Sequence, residues 1–198
     1  AALVLCVERR GAAGAGRGSA TALAARRARR REDVATPTGR DVTRRATKPE
    51  LAVWRTALAG LALVQANTHR RFARHTHDTH GIGLIDAGCQ HSASGRGAVQ
   101  AVRGQLITVN PGEVHDGLPM QGEKRRWRML NIESSLLKEE YSALEWTHPV
   151  FDDGRMARLF DALFASAIRG DAALALEQHL AVLLHHAPIT LKLGAELG

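Results

Sequence analysis

The sequence predicts a mainly β domain followed by two α-helices. Three observations carry that expectation. Short runs of alternating apolar character recur between Trp54 and Ile132, glycine turns separate them with no helical period in between, and after Pro149 the apolar spacing changes to 3 and 4. Strands this dense leave no room for the helical crossovers that parallel pairing needs. The sheet is therefore expected to be antiparallel, a sandwich or a barrel.

Order is expected to begin near Trp54. In GLALVQANTHRRF, Leu61, Leu63 and Gln65 alternate with Ala62, Val64 and Ala66, and IGLID follows as a second strand. CQHSASGRG reads as a polar loop. AVQAV, the Arg103-Gly104 turn and QLITVN come next, closed by Pro111-Gly112, and RWRMLNI at 126 to 132 brings the count to at least five strands. In that last strand Trp127, Met129 and Asn131 share one face and Arg128, Leu130 and Ile132 the other. Beyond Pro149, Met156, Leu159, Phe160, Leu163, Phe164 and Ile168 make one apolar stripe of a helix capped by Asp152 or Asp153 and stopped by Gly170. A second helix, capped by Asp171 and ended by Pro188, turns Leu176, Leu180, Leu183 and Leu184 to its apolar side and Leu174, Glu177 and His179 to a mixed surface.

Composition sets the outer bounds. A chain of 198 residues with 44% hydrophobic content can bury a real core. No apolar run reaches the roughly 18 residues of a membrane span, and arginines follow the opening AALVLCV instead of preceding it, the wrong order for a signal peptide. Cys6 and Cys89 have no metal-type spacing and read as inert thiols in a reduced, cytoplasmic setting. Residues 1–48 hold 12 Lys+Arg against 4 Asp+Glu, leaving 15 against 16 in 49–198, so the basicity belongs to the first segment. With few large apolar residues, that segment is expected to be a disordered basic tail. Its Arg26, Arg27, Arg29, Arg30 and Arg31 are suited at most to weak contact with nucleic acid, salt-dependent and indifferent to sequence.

The histidines of HTHDTHGIGLIDAG and NPGEVH raise the functional question. On a strand, His75 and His77 at i and i+2 point to the same side, and His115, three residues beyond Gly112, leaves a strand end able to face them. Three imidazoles suit Zn, Fe, Ni or Cu, and they suit equally the polar lining of a pocket that binds a small molecule without metal. The residues alone leave both open. Glu113 and Asp116 flank the proline-glycine turn and are expected to cap it or be solvated there.

HTHDTHGIGLIDAG followed by GQLITVNPGEVH resembles the two motifs of the cupin barrel. With RRWRML and two helices behind them, residues 50 to 187 resemble the N-terminal sensing domain of AraC-family transcription regulators. The first cupin motif runs His-x-His, three or four residues, Glu, six residues, Gly. His75, His77 and Gly88 fit it, and Gly81 stands in the Glu place. The second motif keeps Gly104, Gly112 and His115, with Pro111 one residue late and Pro119 where Asn is usual. Loss of the carboxylate removes the usual iron-binding or acid-base partner.

The resemblance implies a cupin-type antiparallel β-barrel, a double-stranded β-helix, followed by two amphipathic helices. It implies a small-molecule effector in the barrel, homodimer pairing through the helices, no cofactor and no catalysis. The expected boundaries are a tail at 1–48, the barrel at 49–149, the helical dimerisation segment at 150–187 and a C-terminal tail at 188–198. The family's DNA-binding module of two helix-turn-helix units is expected to be missing, since 11 residues follow Ala187. His75, His77, His115, Trp127 and Met129 are the expected ligand-binding residues, Trp127 as a flat platform for a sugar or aromatic ring. His80 stands where relatives often carry an aromatic residue and is expected to alter pocket polarity. The alternative is a metal-dependent cupin enzyme with His75, His77 and His115 as ligands.

Overall fold

A computed structural model describes residues 50–137, 141 and 143–191. The basic segment at 1–48, with Cys6 and the arginine cluster, and the chain end from 192 lie outside the described residues.

The strands are β1 (Leu51–Arg55), β2 (Leu61–Thr68), β3 (Phe72–His75), β4 (Thr79–Ala87), β5 (Cys89–Ser94), β6 (Gly97–Val102), β7 (Leu106–Val109), β8 (His115–Pro119), β9 (Arg125–Glu133), β10 (Leu144–Trp146) and β11 (Val150–Phe151). Helices α1 (Gly154–Arg169) and α2 (Ala173–His186) follow, then β12 (Ile189–Leu191). One sheet runs β1-β2-β9-β4-β7-β11, a second β3-β8-β5-β6, and β10 pairs with β12. Every pairing is antiparallel, as the strand density requires.

The stretch expected as a polar loop, CQHSASGRG, is largely strand β5, paired with β6 from Cys89↔Val102 to Ser94↔Gly97 and with β8 on its other side. Its serines and glutamine read as loop chemistry, yet alternation along β5 sends Gln90, Ser92 and Ser94 into an interior where polar groups are wanted. Cys89 is buried, 5% exposed. Ile189–Leu191, which the sequence reading places in a C-terminal tail, pair with Leu144–Trp146.

The larger sheet uses its two faces differently. Leu61 and Leu63 of β2, Ile82 and Leu84 of β4 and Leu130 and Ile132 of β9 face the helices and join Met156, Phe160, Leu163, Phe164, Leu176, Leu180, Leu183 and Leu184 in one core. The opposite face, with Trp127, Met129, Ile85 and Ile107, looks toward the smaller sheet. Alternation in RWRMLNI therefore assigns each side chain as the sequence implies.

Asp153 caps α1 by accepting from the N–H groups of Arg155 and Met156, and Gly170 closes it in the left-handed region at φ 79. Ile168 does not belong to the buried stripe; it is 48% exposed. Nor does Asp171 cap α2. Ala172 holds the N-cap position, while the Asp171 carboxylate accepts from Ser166 and Arg169 and so ties off the end of α1. A short side chain engaged by the preceding helix is not available to the next one. Arg128 fastens α1 to the sheet, with its guanidinium 5.4 Å from the Phe160 ring and 5.2 Å from Phe164 and with ion pairs to Asp86 and Asp161. Burial works against its charge, but the two carboxylates outweigh that and raise its pKa.

Candidate functional site

Between the two sheets lies a partly open cavity of about 290 Å³ whose wall takes residues from both. All five residues expected at the site line it: His75, His77, His115, Trp127 and Met129. How the histidines meet differs from the expectation. His75 is the last residue of β3 and His77 lies in the loop before β4, so strand alternation does not align them. His75 lies opposite His115 across β3 and β8, and the loop folds His77 back to the same place. Ring centroids are 4.4 Å apart for His75 and His115, 5.0 Å for His77 and His115, and 6.2 Å for His75 and His77.

Each of the three rings is oriented by a main-chain carbonyl. Nδ1 of His75 donates to Ala73 O at 2.7 Å, Nδ1 of His77 to Thr79 O at 3.2 Å and Nδ1 of His115 to Glu113 O at 2.9 Å. A carbonyl only accepts, so the proton sits on Nδ1 and each neutral ring keeps its lone pair on Nε2. His77 has its pKa lowered by burial, helped by the neighbouring His115 and opposed by its bond to Thr79.

This tautomer suits a metal, since metal-bound histidines hold their second nitrogen in the same way. The rest of the arrangement does not fit one. Gly81 stands where a carboxylate would complete the set, and a Cβ built there would meet Met129 Sδ at 3.4 Å and Val109 Cβ at 3.5 Å. Among the described residues no three His, Cys, Asp or Glu converge closely enough to hold an ion.

Both acidic residues beside the proline-glycine turn accept from main-chain N–H groups, Glu113 as the cap expected there. Glu113 forms an ion pair with Arg96 at 3.1 Å and accepts from the Asn110 N–H at 3.0 Å. Burial pushes its pKa up, yet the bonds from Asn110, Ser94 and Arg96 prevail and leave it lowered. Arg96 also donates to Trp146 O and Thr108 O, joining the β5–β6 hairpin to β7 and β10. Asp116 accepts from Ala93 N at 2.7 Å.

His80 is outside the cavity, which corrects the expectation that it alters pocket polarity. It shares the helix-facing side of β4 with Ile82 and Leu84, is 3% exposed, and its Nδ1 finds no partner. Burial lowers its pKa against the pull of Glu145.

Several lining residues escaped the sequence reading: Phe72, Gln90, Ser92, Ser94 and Asn131. Asn131 was legible from its alternation with Trp127 and Met129. The polar residues of β5 were not, because the stretch reads as a loop until its partners β6 and β8 are known.

The match of residues 59–184 to the AraC-like ligand binding domain decides the lineage. The chain belongs to the family of AraC-like ligand-binding domains. Its architecture is two antiparallel sheets with helices behind. No curated protein matches the sequence. Among solved structures, it is similar to protein NMB1881 from Neisseria meningitidis, at 12% identity and TM-score 0.38 over 44% of this chain and 90% of that one. A cupin-2 domain protein from Shewanella frigidimarina gives 14% and 0.34 over 38% and 74%, and the Schizosaccharomyces pombe Cnp3 cupin domain 11% and 0.39 over 45% and 69%. At these values the likenesses carry no argument about what the AraC-like domain binds. No helix among its described residues is long and apolar enough to cross a membrane.

Proposed function

We propose that this AraC-like domain is the effector-sensing and dimerising part of a transcription regulator, and that it binds its small molecule without catalysis in the cavity between the sheets. One observation supports this most: a partly open cavity of about 290 Å³ combines an apolar wall with a few polar groups set at defined places, the usual make-up of a small-ligand site. His75, His77 and His115 offer Nε2 acceptors and Trp127 and Met129 the apolar contact. A long lipid does not suit so small and partly polar a space.

Binding to the folded state alone stabilises it by about 2.7 kcal/mol at a hundredfold excess over the dissociation constant. A thermal-shift screen of sugars, small carboxylates and aromatic acids is expected to find a stabilising compound. Trp127→Ala and His115→Ala should each remove the shift while the protein stays folded. Retention of the full shift by both variants would place the ligand elsewhere.

Pairing through the helices has to use a surface other than the apolar stripe of α1. Met156, Phe160, Leu163 and Phe164 are consumed in the core against the sheet. The apolar residues left in water on α2 are Leu174, 66% exposed, and Val182, 46% exposed, two turns apart on one face. Sedimentation at tens of micromolar, where a micromolar dimer is mostly paired, is expected to give a dimer that Leu174→Glu with Val182→Glu converts to monomer. A monomeric parent protein would end this part of the reading.

A second reading, a metal-dependent cupin enzyme using His75, His77 and His115, draws support from the shared Nδ1–carbonyl bonds. Metal analysis of the purified protein decides between them. The sensor reading expects well under one equivalent, and one tightly held zinc or iron per chain, lost in His75→Ala, reverses the preference.

A further inference from the structure

The cavity has two chemically different ends. Ser94 lies beside His115 and Gln90 beside Pro119, four residues apart on β5, so the imidazole cluster and the Gln90 end are separated by about 13 Å along the strand. The imidazole end also holds Glu113, and Asp116 follows His115 along β8, bonded to the Ala93 N–H. Behind the other end stands Arg125, only 1% exposed.

The partners of Arg125 are all neutral. Its Nε donates to Gln90 Oε1 at 2.8 Å, Nη1 to Arg70 O at 2.9 Å and Nη2 to Gly117 O at 3.1 Å, and its guanidinium lies 5.5 Å from the Phe72 ring centre. Among the described residues no carboxylate forms an ion pair with it, and burial alone shifts its pKa, downward. A buried cation without a counter-charge is costly, and proteins ordinarily pair such a charge. Three of its four neighbours, Gln90, Gly117 and Phe72, are cavity wall.

The charge also reaches the cavity through hydrogen bonds. Gln90, accepting from Arg125, donates through Nε2 to Ser92 Oγ at 3.0 Å, which leaves the Ser92 O–H to donate into the space it lines. Trp127 packs edge-on against Phe72 with ring centres 6.1 Å apart, which sets it at the same end, and its Nε1–H is buried with no acceptor. The Trp127 Nε1–H, which has no acceptor, the Ser92 O–H and the buried Arg125 charge thus share this end, while Asp116, one residue beyond His115 along β8, has its Oδ1 engaged by the Ala93 N–H. The imidazole acceptors and Glu113 occupy the opposite end.

We propose that the occupant of this cavity is a small organic carboxylate, its anionic group bonded by Ser92 Oγ–H and Trp127 Nε1–H and balanced by Arg125 behind Gln90. The inference rests on the sensor reading above and names its ligand class. Arg125 acts as a positioning residue that polarises the chain of bonds, while Ser92 and Trp127 touch the ligand.

Matched acids and amides of nearly equal shape isolate the charge. Calorimetric titration of the full chain with benzoate, 4-hydroxybenzoate and nicotinate, each against its carboxamide, is expected to show at least one acid binding at least tenfold more tightly than its amide. Ser92→Ala, which leaves the wall intact, should bring that ratio within about threefold, as should Arg125→Gln if it folds. A merely structural Ser92 would leave the ratio untouched. Amides that bind as well as the acids, or an unchanged ratio in Ser92→Ala, overturn the proposal. So does the absence of acid binding. If a neutral sugar then binds and His115→Ala removes it, the sensor reading survives alone; if neither acid, amide nor sugar binds, both fail.

Discussion

Phe160→Ala is expected to lower the free energy of unfolding by about 3–5 kcal/mol, a large part of the roughly 5–15 kcal/mol that holds an ordinary domain together. Phe160 is fully buried where α1 crosses the larger sheet, stacked on Phe164 with ring centres 5.8 Å apart and covered by the Arg128 guanidinium. Truncation removes the aromatic surface from the core and leaves a space that neighbours on a rigid sheet cannot close. It also strips Arg128 of one of its two rings. Ile168, on the same helix but 48% exposed, supplies the control. Ile168→Ala should stay within about 0.5 kcal/mol. Urea unfolding of both variants checks the pair, and similar losses at the two positions would mean that α1 is seated on a different face.

Arg96→Met should cost about 2–3 kcal/mol at neutral pH. The guanidinium joins the β5–β6 hairpin to β7 and β10 through Trp146 O and Thr108 O, and it neutralises Glu113, whose side chain is 8% exposed beside the imidazole end of the cavity. Removing the cation leaves that carboxylate buried with only its neutral donors. The loss should depend on pH in a defined direction. Glu113 is held below its ordinary value of 4.5, so the folded protein binds fewer protons there than the unfolded chain. The stability it contributes is fully present above that value and disappears as pH falls through the lower folded one. The gap between parent and variant should therefore be widest at neutral pH and narrow below about pH 4.5. A gap that stays constant down to pH 3 would show that Arg96 acts through its carbonyl bonds and not through Glu113.

Much of this domain was legible before any coordinates. Strand alternation assigned Trp127, Met129 and Asn131 to one face and Leu130 and Ile132 to the other, and the spacing of Met156, Phe160, Leu163 and Phe164 marked the buried side of α1. Those inferences succeed because the periods of 2 and 3.6 are local properties of the backbone, and a run of residues carries them without reference to its partners. The turn glycines and the Asp153 cap are readable for the same reason.

The sequence by itself determined the fold class, the family and which residues of each regular element turn inward. Tertiary structure decided what depends on neighbours far along the chain. CQHSASGRG became a strand because β6 and β8 supply partners on both sides, and no local signal announces a partner. His75, His77 and His115 meet because β3 pairs with β8 and a loop folds back, not because their spacing aligns them. Arg125 reads as one more surface arginine in KRRWR, yet pairing buries it behind Gln90 and Gly117. Its side chain crosses between strands, so only the folded arrangement shows that its charge lies at one end of the cavity with no opposite charge beside it among the described residues.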